Sequence, residues 1–132
     1  MNRADCLKLL DDCNRRLGEL AKAPPAAPAP DKAFKPQGSA KTWMLLLDAS
    51  YSDAKTAKTA GEMELLAHAV AEESNALQYL RADSSWRKWS CETRDAAVAV
   101  AEKAKAGDLA GARAALKTVY NRCDSCHKGY KR

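Results

Sequence analysis

The residues with the clearest chemical potential are Cys123-Asp124-Ser125-Cys126-His127, close to the end of the chain. On a helix the two thiols share one face at i, i+3, and the imidazole stands four residues after Cys123. Both sulfurs can then bond one ligand while the ring reaches the centre of that ligand. The spacing is that of covalent haem attachment, with thioethers to two vinyl groups and a neutral imidazole as proximal iron ligand. Two other chemistries use the same residue types. A redox dithiol sits at a helix N-terminus, where the dipole stabilises a thiolate. Here the motif falls in the last turns of a helix, and no sheet accompanies it. A zinc site needs about four ligands. The spare donors are His68 and Cys91, and at 1.5 Å per residue His68 would lie about 18 Å from the motif. Haem attachment is the reading that uses all three residues.

The elements that must position this motif are helices. Of 132 residues, 27 are Ala and 14 are Leu, against 4 Val, 1 Phe and no Ile. That composition suits helices and excludes an all-β fold. All five prolines lie between Pro24 and Pro36. They divide the chain into an amphipathic N-terminal helix (1–23), a Pro-rich linker (24–38) and a body (39–132). In the head, Cys6, Leu9, Leu10, Cys13, Leu17 and Leu20 recur at threes and fours.

The body reads as four helices. The first spans about 41–58, with Trp43, Met44, Leu47, Tyr51, Ala54 and Ala57 near one side. Thr59 and Glu62 form a capping-box pattern for the second, which runs to about residue 81. Asp83, Ser84 and Ser85 are N-cap candidates for the third. Gly107 suits its C-terminal cap, and Asp108 suits the next N-cap. The fourth stripe, Leu109, Ala112, Leu116, Val119, Cys123, Cys126 and Tyr130, carries the motif on its core-facing side. Glu73 interrupts the apolar stripe of the second helix and calls for a polar partner such as Arg81 or a backbone group.

Short turns imply antiparallel neighbours, hence an all-α, up-down-up-down four-helix bundle with an additional N-terminal helix. That topology gathers Trp43, Met44, Tyr79, Leu80, Trp86, Trp89, Tyr120, Cys123, Cys126, His127 and Tyr130 at one end. The other end is mostly alanine. One end is therefore expected to surround something large, flat and apolar. Its expected lining is Trp43, Met44, Leu47, Tyr79, Trp86, Trp89, Tyr120 and Tyr130.

Cys123-Asp-Ser-Cys126-His127-Lys-Gly-Tyr130-Lys131, at the end of an Ala-rich four-helix pattern, resembles the cytochrome c′ family and its low-spin relatives. The resemblance covers about 41–132. It implies one covalent haem c held by Cys123 and Cys126, with His127 as proximal iron ligand. It also implies attachment in the periplasm, and so an export signal not present in this chain. The sixth iron position decides function. In low-spin relatives a Met from the first helix fills it and the protein transfers single electrons. In c′-type members it stays open behind an apolar residue and binds NO or CO. Met44 is the well-placed Met. Met1 lies in the head, and Met63 begins the second helix at the far end. If Met44 turns away, Leu45 or Leu47 can cap the iron. The resemblance also implies a homodimer through the first two helices as an option.

The formal net charge is +5. Arg122, Lys128, Lys131 and Arg132 flank the motif and suit steering of an acidic redox partner. No block of basic residues with interleaved aromatics indicates nucleic-acid binding, and no apolar run is long enough to span a membrane. No nucleophile–base pair or phosphate loop points to an enzyme. The five cysteines are an odd set. Cys6 and Cys13 stand two turns apart on one helix, too far to bridge each other.

Overall fold

A computed structural model describes residues 35–130 and, nearer the N-terminus, residues 8, 11–13, 15, 16 and 19. The chain divides into two compact units, 1–33 and 34–132. In the first, the described residues are helical, and their charges pair at helical spacing. Arg15 bonds Glu19 at 2.8 Å and also pairs with Asp12, while Arg16 reaches Asp12 at 3.0 Å. Cys13 is an exposed free thiol; Cys6 lies outside the described residues, as does most of the head stripe.

The second unit is all-helical: α1 (Ala40–Thr56), α2 (Ala60–Leu77), α3 (Ser84–Lys105) and α4 (Leu109–Tyr130). Local chemistry fixes each start. Ser39 Oγ accepts from Thr42 N at 3.2 Å and opens α1. Thr59 and Glu62 close the expected capping box on α2, Thr59 Oγ1 accepting from Glu62 N at 3.1 Å. Asp83, of the three candidates, is the N-cap of α3, accepting from Ser85 N and Trp86 N. Asp108 accepts from Gly111 N at 2.7 Å at the head of α4. Gly107 ends α3 with φ of +81°, a left-handed turn that glycine adopts without a Cβ penalty.

Two expectations need correction. The second helix stops at Leu77, not near residue 81. Tyr79 N and Leu80 N bond the carbonyls of Ala76 and Leu77, three residues back, so the helix tightens into turns. The indole N–H of Trp86 also donates to the Leu77 carbonyl, which satisfies a terminal acceptor from outside the helix. Glu73 does not meet Arg81. Its Oε1 accepts from Ser50 Oγ of α1 at 2.9 Å, while Oε2 is buried without a partner. Burial pushes its carboxyl above the usual range.

Each helix packs on its sequence neighbours: α1 on α2, α2 on α3, α3 on α4. The core is built from small and medium side chains. Met63, Val70, Ala54, Val100, Ala112 and Val119 are fully buried. The α1 and α4 backbones scarcely approach each other. They meet through side chains: Tyr51 stacks on Tyr120 at 6.4 Å, and the Arg113 guanidinium donates to the Ala57 carbonyl at 2.7 Å. No described helix is long and apolar enough to cross a membrane.

Candidate functional site

Because α1 and α4 stand apart, a cavity of about 460 Å³ opens between them and reaches inward to α2 and α3. That volume is in the range of small-molecule and cofactor sites. From α4 it is lined by Tyr120, Cys123, Asp124, Cys126 and His127. The facing wall is α1, with Met44, Leu45, Leu47 and Tyr51. Leu77 and Ser74 close the back, and Trp89, Ser90 and Thr93 of α3 form the third side. All three residues of the motif thus meet one space, as helical spacing requires. Cys126 is buried, Cys123 half-buried and His127 exposed.

The electrostatics of the thiols separate two chemistries. Burial, reinforced by the neighbouring Cys126, pushes the Cys123 thiol up to about 11. Burial also raises Cys126. Both are protonated at neutral pH, whereas a redox dithiol depends on a stabilised thiolate. Zinc also lacks its partners: among the described residues no group of three or more His, Cys, Asp or Glu is placed to hold a metal ion. His68 is exposed on α2, and the Cys91 thiol donates to Gln78 Oε1 at 3.4 Å.

The motif's last turn is pinned from outside the cavity. Tyr130 donates its hydroxyl to Asp83 Oδ2 at 2.7 Å. That hydrogen bond, with those from Trp86 N and Ser85 N, holds the Asp83 carboxyl below its usual range. The Tyr130 ring meets Trp86 and Trp89 edge-on, at 5.5 and 5.3 Å between centroids. Arg81 lies over both Trp86 and Tyr130, at 4.9 and 5.3 Å. Gly129 lets the helix approach closely, since a Cβ there would stand 2.3 Å from the Trp89 ring. Trp89 joins the two parts: it packs against Tyr130 and lines the cavity.

The structure brings Met44, Leu47, Trp89, Tyr120, Cys123, Cys126 and His127 to the cavity. It places Trp43, Tyr79, Trp86 and Tyr130 outside the lining. Trp43 donates its indole N–H to the Gln37 carbonyl at 2.7 Å. Trp86 and Tyr130 belong to the pinning cluster, and Tyr79 is largely exposed on the connection after α2. Tyr51, Asp48, Ser74, Ser90 and Thr93 are lining residues that the sequence reading did not assign to a site. Tyr51 was within reach of it, lying seven residues after Met44 on the same stripe. Of the basic ring, Arg122 pairs with Glu92 at 3.2 Å and Lys128 with Asp124 at 2.6 Å. Lys131 and Arg132 lie outside the described residues.

Comparisons with protein-family models, with curated proteins and with solved structures each found no match.

Proposed function

We propose that this chain is a monohaem c-type cytochrome, related to the cytochrome c′ family, that carries single electrons rather than acting as an enzyme. The observation that carries the reading is the convergence of Cys123, Cys126 and His127 on one cavity whose facing wall is α1. The donor set fits the group: two thiols on one wall, an imidazole beside them, and mainly apolar side chains across the gap. When bound, haem supplies a one-electron Fe(III)/Fe(II) couple.

The chain's own residues do the rest. Cys123 and Cys126 would hold the cofactor covalently, and His127 would offer the proximal nitrogen. Leu47, Leu77 and Trp89 exclude water. Met44, on the facing wall, would offer its thioether to the iron, a ligand that raises the potential of such centres. The architecture in this reading is an antiparallel up-down-up-down bundle with an additional N-terminal helix. Cross-helix pairs support it, because residue numbers rise on one helix as they fall on its neighbour. Asn75 meets Arg94 and Gln78 meets Cys91. Trp86 meets Tyr130 and Glu92 meets Arg122. Tyr51 meets Tyr120 and Ala57 meets Arg113. The family resemblance carries a periplasmic location with it.

A second reading rests on Leu45 and Leu47, which share the wall with Met44. An aliphatic cap would leave the iron five-coordinate and open to NO or CO. The test is a visible spectrum of reduced protein, made with a working haem-attachment system, before and after CO. A sharp, split low-spin band that ignores CO is expected. A broad band that sharpens with CO would transfer the assignment to gas binding. Absence of any haem band would overturn the cytochrome reading.

A further inference from the structure

The cavity continues into a second recess of about 320 Å³ along the α1–α4 seam, lined by Tyr51, Lys55, Arg113, Leu116, Lys117 and Tyr120. Tyr51, Lys55 and Tyr120 line both spaces, so the two meet at the stacked tyrosine pair. Three cations surround the recess and no described carboxylate lines it. Lys55 Nζ stands 5.3 Å above the Tyr51 ring. Arg113 spends one N–H on the Ala57 carbonyl and bonds no carboxylate among the described residues. Tyr120 is 55 % exposed although it adjoins the cavity. The contrast with the cations beside the motif is direct, since Arg122 and Lys128 are each tied to a carboxylate of this chain.

We infer that this recess is the docking surface for a partner protein that presents a cluster of carboxylates. Tyrosine and arginine are enriched in protein interfaces, and a polar rim surrounds such anchors. The uncompensated cations and the net charge of +5 complement an acidic face and favour its approach. A shallow recess with an exposed tyrosine suits a protein surface better than an enclosed small anion. The inference rests on the cytochrome reading only for what the partner does there. Docking at the tyrosine pair would set the partner beside Cys123, three residues along the helix from Tyr120.

The test uses the full chain and an octaglutamate peptide as probe, followed by amide NMR shifts. Shifts are expected to cluster around Tyr51, Lys55, Arg113, Lys117 and Tyr120. The affinity should fall several-fold between about 20 and about 200 mM NaCl, as screening predicts. Lys55→Glu with Lys117→Glu should weaken it by about tenfold or more, with the helical circular dichroism unchanged. Shifts centred on Arg122 and Lys128, an unaffected double variant, or an equal response to free glutamate would each overturn the proposal. The haem band is read on the same sample. Recess binding without haem sustains the docking surface and removes its redox role; haem with no recess binding does the reverse.

Discussion

The two ends of the bundle are built on opposite principles. The end formed by the close of α1, the start of α2, the close of α3 and the start of α4 is packed with small residues. Ala54, Ala57, Ala67, Ala101, Ala104 and Ala112 are buried there around Met63. Short side chains let neighbouring helices approach and fill the core there. At the other end Trp86, Trp89, Tyr130 and Arg81 form a packed cluster on one side, and a cavity opens on the other. Small side chains fill the core at one end, whereas at the other the cavity opens between α1 and α4.

Met63 and Met44 test this contrast most strongly. Met63 is fully buried at the alanine end, whereas Met44 is half-buried on the cavity wall. Met63→Ala should cost about 2–5 kcal/mol in urea unfolding, because the cavity it leaves cannot collapse. Met44→Ala should cost less than about 1 kcal/mol in haem-free protein, since its site is already open. In haem-loaded protein the order reverses: Met44→Ala should produce a high-spin, CO-responsive spectrum, and Met63→Ala should leave the spectrum unchanged. Equal spectral effects from both would remove Met44 from the iron.

A pair of glycines gives a smaller effect of opposite sign. Gly129→Ala should destabilise by about 1–3 kcal/mol, because its Cβ must displace the Trp89 ring. Gly61, in the first turn of α2, has nothing within 4 Å of a built Cβ. Gly61→Ala should stabilise by about 0.5–1 kcal/mol through lower unfolded-chain entropy. Thermal unfolding of the two variants checks both.

The smallest effect belongs to the Tyr130 hydroxyl. Its bond depresses the Asp83 carboxyl in the folded state. A depressed carboxyl adds stability above its unfolded range, about 3.9, and loses it as pH falls through the folded value. Tyr130→Phe should therefore lower Tm slightly at neutral pH. The difference from the parent protein should shrink as pH is brought below the carboxylate range. A gap that persists in acid would mean that the hydroxyl acts by packing alone.

Much of this was legible in the sequence because the signals are local. Thr59 with Glu62, Asp83, Gly107 and Asp108 act within one turn, and each does what its residue type dictates. The cysteines fall on the core stripe of α4 by counting alone. Less was legible where contacts cross between helices. Ser74, Ser90 and Thr93 line the cavity, but small polar residues on a stripe carry no periodic signature of a wall. Aromatic content marked the end where the cavity opens without dividing it into lining and support: Trp89 faces the cavity, while Trp86 serves the pinning cluster. The partner of Glu73 is a serine on another helix, which no i, i+4 rule reaches.

Packing between sequence neighbours also has a kinetic meaning. Local contacts close quickly, so bundles of this kind fold fast. Here the α1–α2, α2–α3 and α3–α4 pairings are all local in this sense, and α1 joins α4 mainly through the tyrosine stack and the Arg113 bond. The seam between first and last helix is accordingly expected to form last and loosen first, which amide hydrogen exchange along α1 and α4 would check. A chain with three hairpin pairings complete would already present Cys123, Cys126 and His127 on a structured α4, with α1 not yet closed across them. In that order of assembly the two thiols and the imidazole would be reachable before α1 covers them.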